Sequence, residues 1–554
     1  MSTHARRLTA LRFSRRRLLA GAATSLGALG TTALLGCTAP SPRAVSPAPS
    51  GSATPEPPRR GGTFRGGITG AFAGVDPHTS VFGGAGVVPL VHTYLFRKEV
   101  LRPDLGLKYD LATRHELGAD RVTWTFHLRP DAKIAPNTLG VPERALDAED
   151  VLASFRRIAD RATGATGYSF FNTWVSRFDA PDAATVRLVL KKPYAWAEEA
   201  LGDALSGAIV PREWLAGSRD ALKTNAVGAG PFALKSLAEG REAVMVANPN
   251  FYDRTLPRVD QFRIVPFQDQ VTYRTAFASG QLDVYFAQNI EEARELEKTV
   301  PRTRRMEIQS TGFNSFWMRT DAPPWQDDRV RRAMNLSMNR QQYIELIGKG
   351  QGVPAGPVPP VFGAFALPAD ELARLQPYSP AEARRLFDAA GVSEIAFAHP
   401  TSSSMPDYVA MMSQQLSAIG MRVKPQPMDA SSWLAAYFGG KLTASFSLNQ
   451  SYKTPDAALL WYRTGGFTGT GAYDTKWSKP AIDRLIDEAA VTLEPRAREA
   501  AYREAARQIL AADPPFINVF QIGGNPLVHE RVGEYDAGPG AMSNFMMRYV
   551  WLRD

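Results

Sequence analysis

The chain has 554 residues and carries 64 Lys and Arg against 55 Asp and Glu, a formal net charge of +9. Six of the basic residues lie in 1–36, which contain no acidic residue, so the rest of the chain has 58 basic and 55 acidic residues. This near balance gives no reason to expect a nucleic-acid partner. The length suffices for two or more domains with full cores.

The first 36 residues have the pattern of an export signal. Ser14, Arg15 and Arg16 precede an uncharged apolar run, 18–35, and small residues follow. A basic start, an apolar stretch and small residues before a cleavage site are typical of a secretory signal. The paired arginines, Arg15 and Arg16, indicate the twin-arginine route, which exports folded proteins.

Cys37 is the only cysteine of the chain, so it can form no internal disulfide. It ends the tetrapeptide "LLGC", which resembles the bacterial lipobox, in which the cysteine becomes the lipidated first residue of the mature protein. Two alternatives stay open: an uncleaved membrane anchor, or a plain signal peptide with a chance cysteine. The apolar run is rich in Ala, Gly and Thr, which is a weak composition for a permanent membrane span. We therefore predict a lipid anchor at Cys37.

Residues 37–60 follow as a segment dominated by Pro, Ser and Ala, without apolar periodicity. Such a composition cannot bury a core and is typical of a semi-extended spacer. The sequence predicts a disordered tether between the lipid anchor and the folded domains.

The remaining chain alternates strand and helix patterns, which predicts an α/β protein. "RVTWTFHLRP" (121–130) and "TVRLVL" (185–190) place apolar side chains on one face, as half-buried strands do. A helix is predicted after Asp147, with Val151, Phe155 and Ile158 on one stripe. Another is predicted between Ser379 as N-cap, with Glu382 closing a capping box, and Gly391. Long helices are predicted in 481–511.

Motifs for catalysis and metal binding are missing from the sequence. It contains no Gly-x-x-x-x-Gly-Lys loop and no Gly-x-Ser-x-Gly elbow, and its seven histidines show no metal-ligand spacing. We predict that the protein is not an enzyme and uses no metal or cofactor. Aromatic residues cluster in the second half of the chain. Most aromatic side chains belong to cores, but enough remain to line a ligand cavity: Trp317, Trp433, Tyr452 and Trp461.

Six motifs, in order between about 60 and 525, resemble those of the extracellular solute-binding proteins of family 5, the dipeptide- and oligopeptide-binding subunits of ABC importers. They are "LATRHELGADRVTWTFHLRPDAKI…LDAEDVLASFRRI", "GAGPFALKSLAEG" with "NPNFY", "PPWQDDRVRRAMNLSMNR", "YSPAEARRLFDAAG", "QQLSAIGMRVKPQ" and "KPAIDRLIDEA…REAAYREAARQILAADPPFI".

The resemblance implies a two-lobe, periplasmic-binding-protein-like (Venus flytrap) fold with an extra inserted subdomain. The boundaries that we expect are lobe I at 61–95, 213–312 and 525–554, the inserted subdomain at 96–212, and lobe II at 313–524. A ligand bound between the lobes favours the closed state, and closure is hinge bending.

The function implied by the resemblance is capture of a peptide-like or other polar organic solute and its delivery to ABC permease and ATPase subunits. The protein would be a monomer held by its lipid at the extracytoplasmic face of the membrane. One alternative is a ligand-sensing or chaperone-like lipoprotein without a permease. Another is an extracytoplasmic hydrolase.

The resemblance also points to ligand contacts in 447–462, "SLNQSYKTPDAALLWY". Peptide-binding relatives have an Asp-Pro pair there, and that aspartate meets the α-ammonium group of the ligand. Here Thr454 precedes Pro455, and Asp456 follows, either as a substitute partner or as part of a turn or helix cap. Arg319, where the family usually has Asn, is expected either to clamp a ligand anion or to form a structural salt bridge. Trp433 stands where relatives often have an aromatic residue and is the expected cavity wall.

Overall fold

The computed structural model of the protein describes eleven segments of the chain: 56–70, 74–79, 86–98, 107–203, 207–238, 241–308, 310–401, 405–447, 452–465, 475–535 and 544–553. The predictions for Arg15, Arg16, Cys37 and the tether before residue 56 concern residues outside the described part of the chain.

The strands in chain order are β1 (Thr63–Thr69), β2 (Phe96–Lys98), β3 (Leu107–Tyr109), β4 (Ala112–Leu117), β5 (Thr123–Leu128), β6 (Val175–Asp182), β7 (Thr185–Leu190), β8 (Phe232–Ala238), β9 (Glu242–Ala247), β10 (Gln261–Phe267), β11 (Val284–Ala287), β12 (Thr303–Arg305), β13 (Ser315–Met318), β14 (Val353–Pro354), β15 (Glu394–Pro400), β16 (Arg422–Met428), β17 (Ala444–Ser447), β18 (Phe516–Asn518), β19 (Phe520–Gln521), β20 (Asn525–His529), β21 (Val532–Glu534) and β22 (Trp551–Leu552).

The helices are α1 (Val88–Val91), α2 (Ala148–Ala159), α3 (Tyr168–Trp174), α4 (Ala197–Leu201), α5 (Arg212–Leu215), α6 (Arg219–Thr224), α7 (Gln270–Ala278), α8 (Ile290–Thr299), α9 (Asp328–Ser337), α10 (Arg340–Leu346), α11 (Ala369–Leu375), α12 (Pro380–Ala389), α13 (Met405–Ser417), α14 (Ala430–Phe438), α15 (Pro455–Leu459), α16 (Pro480–Val491) and α17 (Pro495–Ala511).

Two sheets unite distant parts of the chain within the stretches expected for lobe I. The first has the strand order β1-β10-β9-β8, with β1 parallel to β10 and the other pairs antiparallel. The second has the order β11-β20-β12, so a strand near the C-terminus lies between two strands from the middle of the chain. One apolar core, which includes Phe64, Phe262 and Val528, packs the two sheets together.

The stretch expected to form the inserted subdomain contains a four-stranded antiparallel sheet with the order β4-β5-β7-β6. In β5, Trp124, Phe126 and Leu128 are buried while the alternate residues are partly exposed, and β7 buries Val186 and Leu188 in the same way. Both predicted strands are confirmed. Helix α2 packs on this sheet through the predicted stripe, and Asp147 caps it by accepting hydrogen bonds from two backbone amides.

The stretch expected to form lobe II contains a five-stranded mixed sheet with the order β16-β15-β17-β13-β18. Successive side chains of a strand point to opposite faces, and β13 shows this division between two cores. Phe316 and Met318 pack with α9, α10, α12 and α13, whereas Trp317 belongs to an aromatic core formed with α14 to α17. The sheet is therefore covered on both faces, and the α/β prediction is confirmed.

Helix α12 corrects one detail of the sequence interpretation. It begins at Pro380 after Ser379, as predicted, and Gly391 follows its C-terminal end with a φ of +69°. The capping box is wrong, however, because the Ser379 side chain makes no capping hydrogen bond. The carboxylate of Glu382 instead accepts two hydrogen bonds of 2.7 Å from Arg385, one helical turn away. A nearby guanidinium is a stronger partner for a carboxylate than a backbone amide.

Within the eleven described segments, we find no helix long and apolar enough to cross a membrane. The same segments contain no group of three or more His, Cys, Asp or Glu side chains arranged to hold a metal ion.

Candidate ligand-binding site

Two neighbouring segments of the chain connect lobe I with lobe II. Residues 306–314 lead from β12 to β13, and residues 519–524 lead back from β18 toward β20. They run antiparallel, since Ile308 and Gly524 exchange backbone hydrogen bonds of 2.9 and 3.0 Å and Val519 N–H donates to the Asn314 carbonyl at 2.9 Å. A short pair of connecting strands can absorb a hinge rotation while both lobes stay rigid.

Side-chain amides fix both ends of this connection. In lobe II, Asn518 accepts a 2.7 Å hydrogen bond from Ser315 Oγ and donates to the Gly356 carbonyl and to Tyr462 Oη. At the other end, Asn525 at the start of β20 and Gln351, which lies in the stretch expected for lobe II, form a reciprocal amide pair of 2.8 and 3.1 Å. The Asn518 contacts therefore fix the connection within lobe II, whereas the Asn525–Gln351 pair joins the two lobes beside it.

Tyr452 places the predicted 447–462 region beside this connection. Its backbone N–H donates to the Thr311 carbonyl at 3.3 Å, and its ring lies 5.4 Å from Phe313 and 6.0 Å from Trp461. Trp461 in turn packs against Phe516 at 5.6 Å. These aromatic rings pack together in one apolar core beside the connecting segments.

The four predicted aromatic residues are all buried in this structure. Trp317, Trp433, Tyr452 and Trp461 are 3%, 1%, 6% and 7% exposed and belong to a single apolar core. Trp433 stacks on Tyr437 at 4.6 Å, and its indole N–H donates to Ser445 Oγ at 3.0 Å. Trp317 meets Tyr437 edge to face at 5.6 Å. Tyr437 thus contacts both Trp317 and Trp433.

Arg319 is held by the protein itself. Its guanidinium makes a bidentate contact with Asp321, at 2.6 and 2.9 Å, and donates to the Gly440 carbonyl at 2.9 Å. The guanidinium of Arg319 keeps the pKa of Asp321 below its usual value. Of the two roles expected for Arg319, these contacts correspond to the structural salt bridge.

Thr454 and Asp456 take different roles at the start of α15. Thr454 is the N-cap, and its Oγ1 accepts a 3.0 Å hydrogen bond from the Ala457 amide. Asp456 is 1% exposed and turns into the protein, where Tyr194 Oη donates to one carboxylate oxygen at 2.8 Å and Tyr502 Oη to the other at 3.0 Å. Burial raises the pKa of Asp456 to about 6, although the two tyrosine hydrogen bonds oppose the shift.

The partners of Asp456 were missed by the sequence interpretation. Tyr194 and Tyr502 lie 262 and 46 residues away from Asp456 in the chain, so no local pattern joins them. The sequence feature that could have indicated such a contact is the stretch "PYAWAEEAL", in which two aromatic residues stand just before a short helix.

Comparison with known proteins agrees with this geometry. The model of the family described as "Bacterial extracellular solute-binding proteins, family 5 Middle" matches residues 106–470. Di/tripeptide-binding protein 2 of Pseudomonas aeruginosa (strain UCBPP-PA14) is 24% identical, over 80% of this chain and 85% of its own. Glutathione-binding protein GsiB of Escherichia coli (strain K12) is also 24% identical, over 78% and 82%.

Solved structures share the fold. The periplasmic binding protein DppA of Helicobacter pylori, in complex with the peptide STSA, superposes with a TM-score of 0.79 at 19% identity, over 90% of this chain and 99% of that one. AgaA of A. tumefaciens R10, in complex with agropinic acid, has a TM-score of 0.77 at 23% identity, over 89% and 99%. The two-lobe fold of periplasmic binding proteins is therefore confirmed, and this chain belongs to the bacterial extracellular solute-binding proteins of family 5.

Proposed function

We propose that this protein is an extracytoplasmic solute-binding lipoprotein that encloses a polar organic solute between its lobes and delivers it to an ABC importer. The observation that carries the proposal is the pair of connecting strands, 306–314 and 519–524, between two α/β lobes in a chain of this family. A solute that contacts both lobes stabilises the closed form, which a permease can distinguish from the open one. This mechanism requires no covalent chemistry, and the relatives are named as binding proteins.

The lobe boundaries remain part of the proposal. We assign 61–95, 213–312 and 525–554 to lobe I, 96–212 to the inserted subdomain and 313–524 to lobe II. Their support is that each sheet draws its strands from one of these three groups. Cys37 is proposed as the lipid-bearing residue, and Arg15 with Arg16 as the export signal.

Tyr452 and Trp461 are the residues that we propose as ligand contacts, since they stand beside the connecting strands. Trp317 and Trp433 would support them from the core. Arg319 and Asp456 are both engaged by protein groups, so we assign them no direct contact with the solute.

The ligand that we propose lacks a free α-ammonium group at the end facing 447–462. A carboxylate before Pro455 could pair with such a group through a charge-assisted hydrogen bond, but Thr454 supplies only a hydroxyl, which already caps α15. Among relatives and fold neighbours, the named ligands include peptides, glutathione and agropinic acid, so the fold accepts several kinds of polar solute.

A thermal-shift panel tests this ligand class. Free di- and tripeptides should raise the melting temperature little, whereas amino-blocked peptides, opine-like acids or neutral oligosaccharides should include a stabilising ligand. Replacing Thr454 with Asp keeps an N-cap side chain and adds a charge, so free dipeptides should bind at least about tenfold more tightly.

The matched control is Thr454→Ser, which keeps the cap without a charge and should bring no gain in dipeptide binding. Tight binding of free dipeptides by the unaltered protein would contradict the proposed ligand class.

A further inference from the structure

The inserted subdomain touches lobe II through the short segment Tyr194–Trp196, which precedes α4. The Ala195 amide donates to the Ala490 carbonyl of α16 at 2.9 Å, and the indole N–H of Trp196 donates to Tyr502 Oη of α17 at 2.7 Å. The guanidinium of Arg498 lies 4.8 Å from the Trp196 ring centroid. Trp196 is 7% exposed and packs in the aromatic core of lobe II, although the sheet of the inserted subdomain has a core of its own.

Asp456 lies at the centre of this contact. One of its oxygens accepts from Tyr502, within lobe II, and the other accepts from Tyr194, across the contact. The Tyr194 ring is stacked on Trp174 of the subdomain at 4.0 Å, so its hydroxyl is presented from a rigid base. A second contact between the inserted subdomain and lobe II is the ion pair of Lys453 with Asp203.

We propose that Tyr194–Trp196 is a latch that fastens the inserted subdomain to lobe II when the lobes are closed, with Asp456 as the group that receives it. The proposal rests on the opening and closing inferred above. Because the subdomain is joined to lobe I, any rotation at the connecting strands that opens the cleft must pull Tyr194 and Trp196 away from α15, α16 and α17. The closed form thus has a stabilising contact independent of the solute.

The latch makes closure sensitive to pH. In this structure, where Tyr194 and Tyr502 both donate to Asp456, burial raises the pKa of Asp456 to about 6, and we assign this arrangement to the closed form. When Tyr194 and Trp196 withdraw and water enters, that pKa should fall toward the ordinary aspartate value of about 4. Closing therefore takes up a proton. The added preference for the closed form is fully present below about pH 4 and is lost as the pH rises through about 6.

Charged side chains on the elements packed around Asp456 and its two tyrosine partners also affect this site. Arg463 and Asp487 face it within lobe II, Arg498 faces Tyr502, and Glu199 faces Tyr194 across the contact. Arg463 and Asp487 form a bidentate pair at 2.8 and 2.9 Å, so their effects on Asp456 largely cancel.

Small-angle scattering of the full-length protein, dialysed free of solute, tests the latch. From pH 7.5 to pH 5.5 the closed-to-open ratio should rise about fourfold, given the two pKa values above, and the radius of gyration should fall. Asp456→Asn mimics the protonated acid and should be compact at both pH values. Tyr194→Phe should lower the closed-to-open ratio about tenfold at pH 7.5.

Tyr252→Phe is the matched control. It removes a 2.7 Å hydrogen bond from tyrosine to Asp110 whose two ends both lie outside lobe II, so the radius of gyration should not change. Equal radii for the Tyr194 and Tyr252 variants, or a pH response that persists in Asp456→Asn, would overturn the latch. Either result would leave solute binding in the thermal-shift panel intact, whereas failure of the proposed function would appear as loss of all binding.

Discussion

Replacing Asp283 with Asn is expected to lower the free energy of unfolding by about 3–5 kcal/mol, because it removes one partner of a buried ion-pair network. The Asp283 side chain is 0% exposed and contacts the guanidinium groups of Arg65, at 2.8 Å, and Arg531, at 2.6 and 2.9 Å. Arg65 belongs to β1, and Arg531 follows β20. Burial alone would raise the pKa of Asp283, but hydrogen bonds from the two arginines bring it below its usual value. The carboxylate therefore joins both ends of the folded chain in lobe I.

Urea unfolding at pH 7.5 measures this loss. Asp179→Asn serves as the control, since the Asp179–Arg187 pair on the inserted subdomain has a similar distance of 2.9 Å but side chains that are 37% and 44% exposed. Exposed pairs contribute up to about 1 kcal/mol. Equal losses in the two variants would show that Asp283 does not hold lobe I together.

Replacing Cys37 with Ala is expected to move the protein from the membrane fraction to the soluble fraction. Acyl chains bind a bilayer with about 0.8 kcal/mol per buried CH₂ group, so stable anchoring depends on the lipids that a lipobox cysteine would carry. Cell fractionation followed by immunodetection of the protein measures the change.

Thr38→Ala, one residue further along, is the control for Cys37 and should leave the protein in the membrane fraction. Retention of the Cys37 variant in the membrane would instead indicate an uncleaved signal helix. In the same fractions, replacing both Arg15 and Arg16 with Lys should block export of the folded protein if the twin-arginine signal is used.

Secondary structure was predictable where one face of an element is buried. In β5 and α2 the spacing of apolar residues alone identifies the buried side, because local geometry fixes which side chains share a face. The Ser379 capping box failed because Arg385, on the next turn, competes for Glu382. Local patterns predict elements well but do not rank competing partners of one side chain.

The candidate site was predictable only in part. The substitution at Thr454 was visible in the sequence, and its cap on α15 is a local contact. The inward orientation of Asp456, however, involves Tyr194 from a distant part of the chain. In the same way, nothing in the sequence around Trp433 indicates that its indole N–H donates to the Ser445 hydroxyl. Contacts between lobes arise from the tertiary arrangement, so residue types alone cannot distinguish a cavity wall from a core.

Closure on a solute is the central claim, and small-angle scattering of the full-length protein tests it most directly. Native mass spectrometry of protein purified without refolding would first identify a bound solute, which is then removed by dialysis and added back. We predict that adding it back lowers the radius of gyration and raises the melting temperature, because the solute binds the closed, folded form. A solute that binds tightly and leaves the scattering curve unchanged would contradict the two-lobe mechanism.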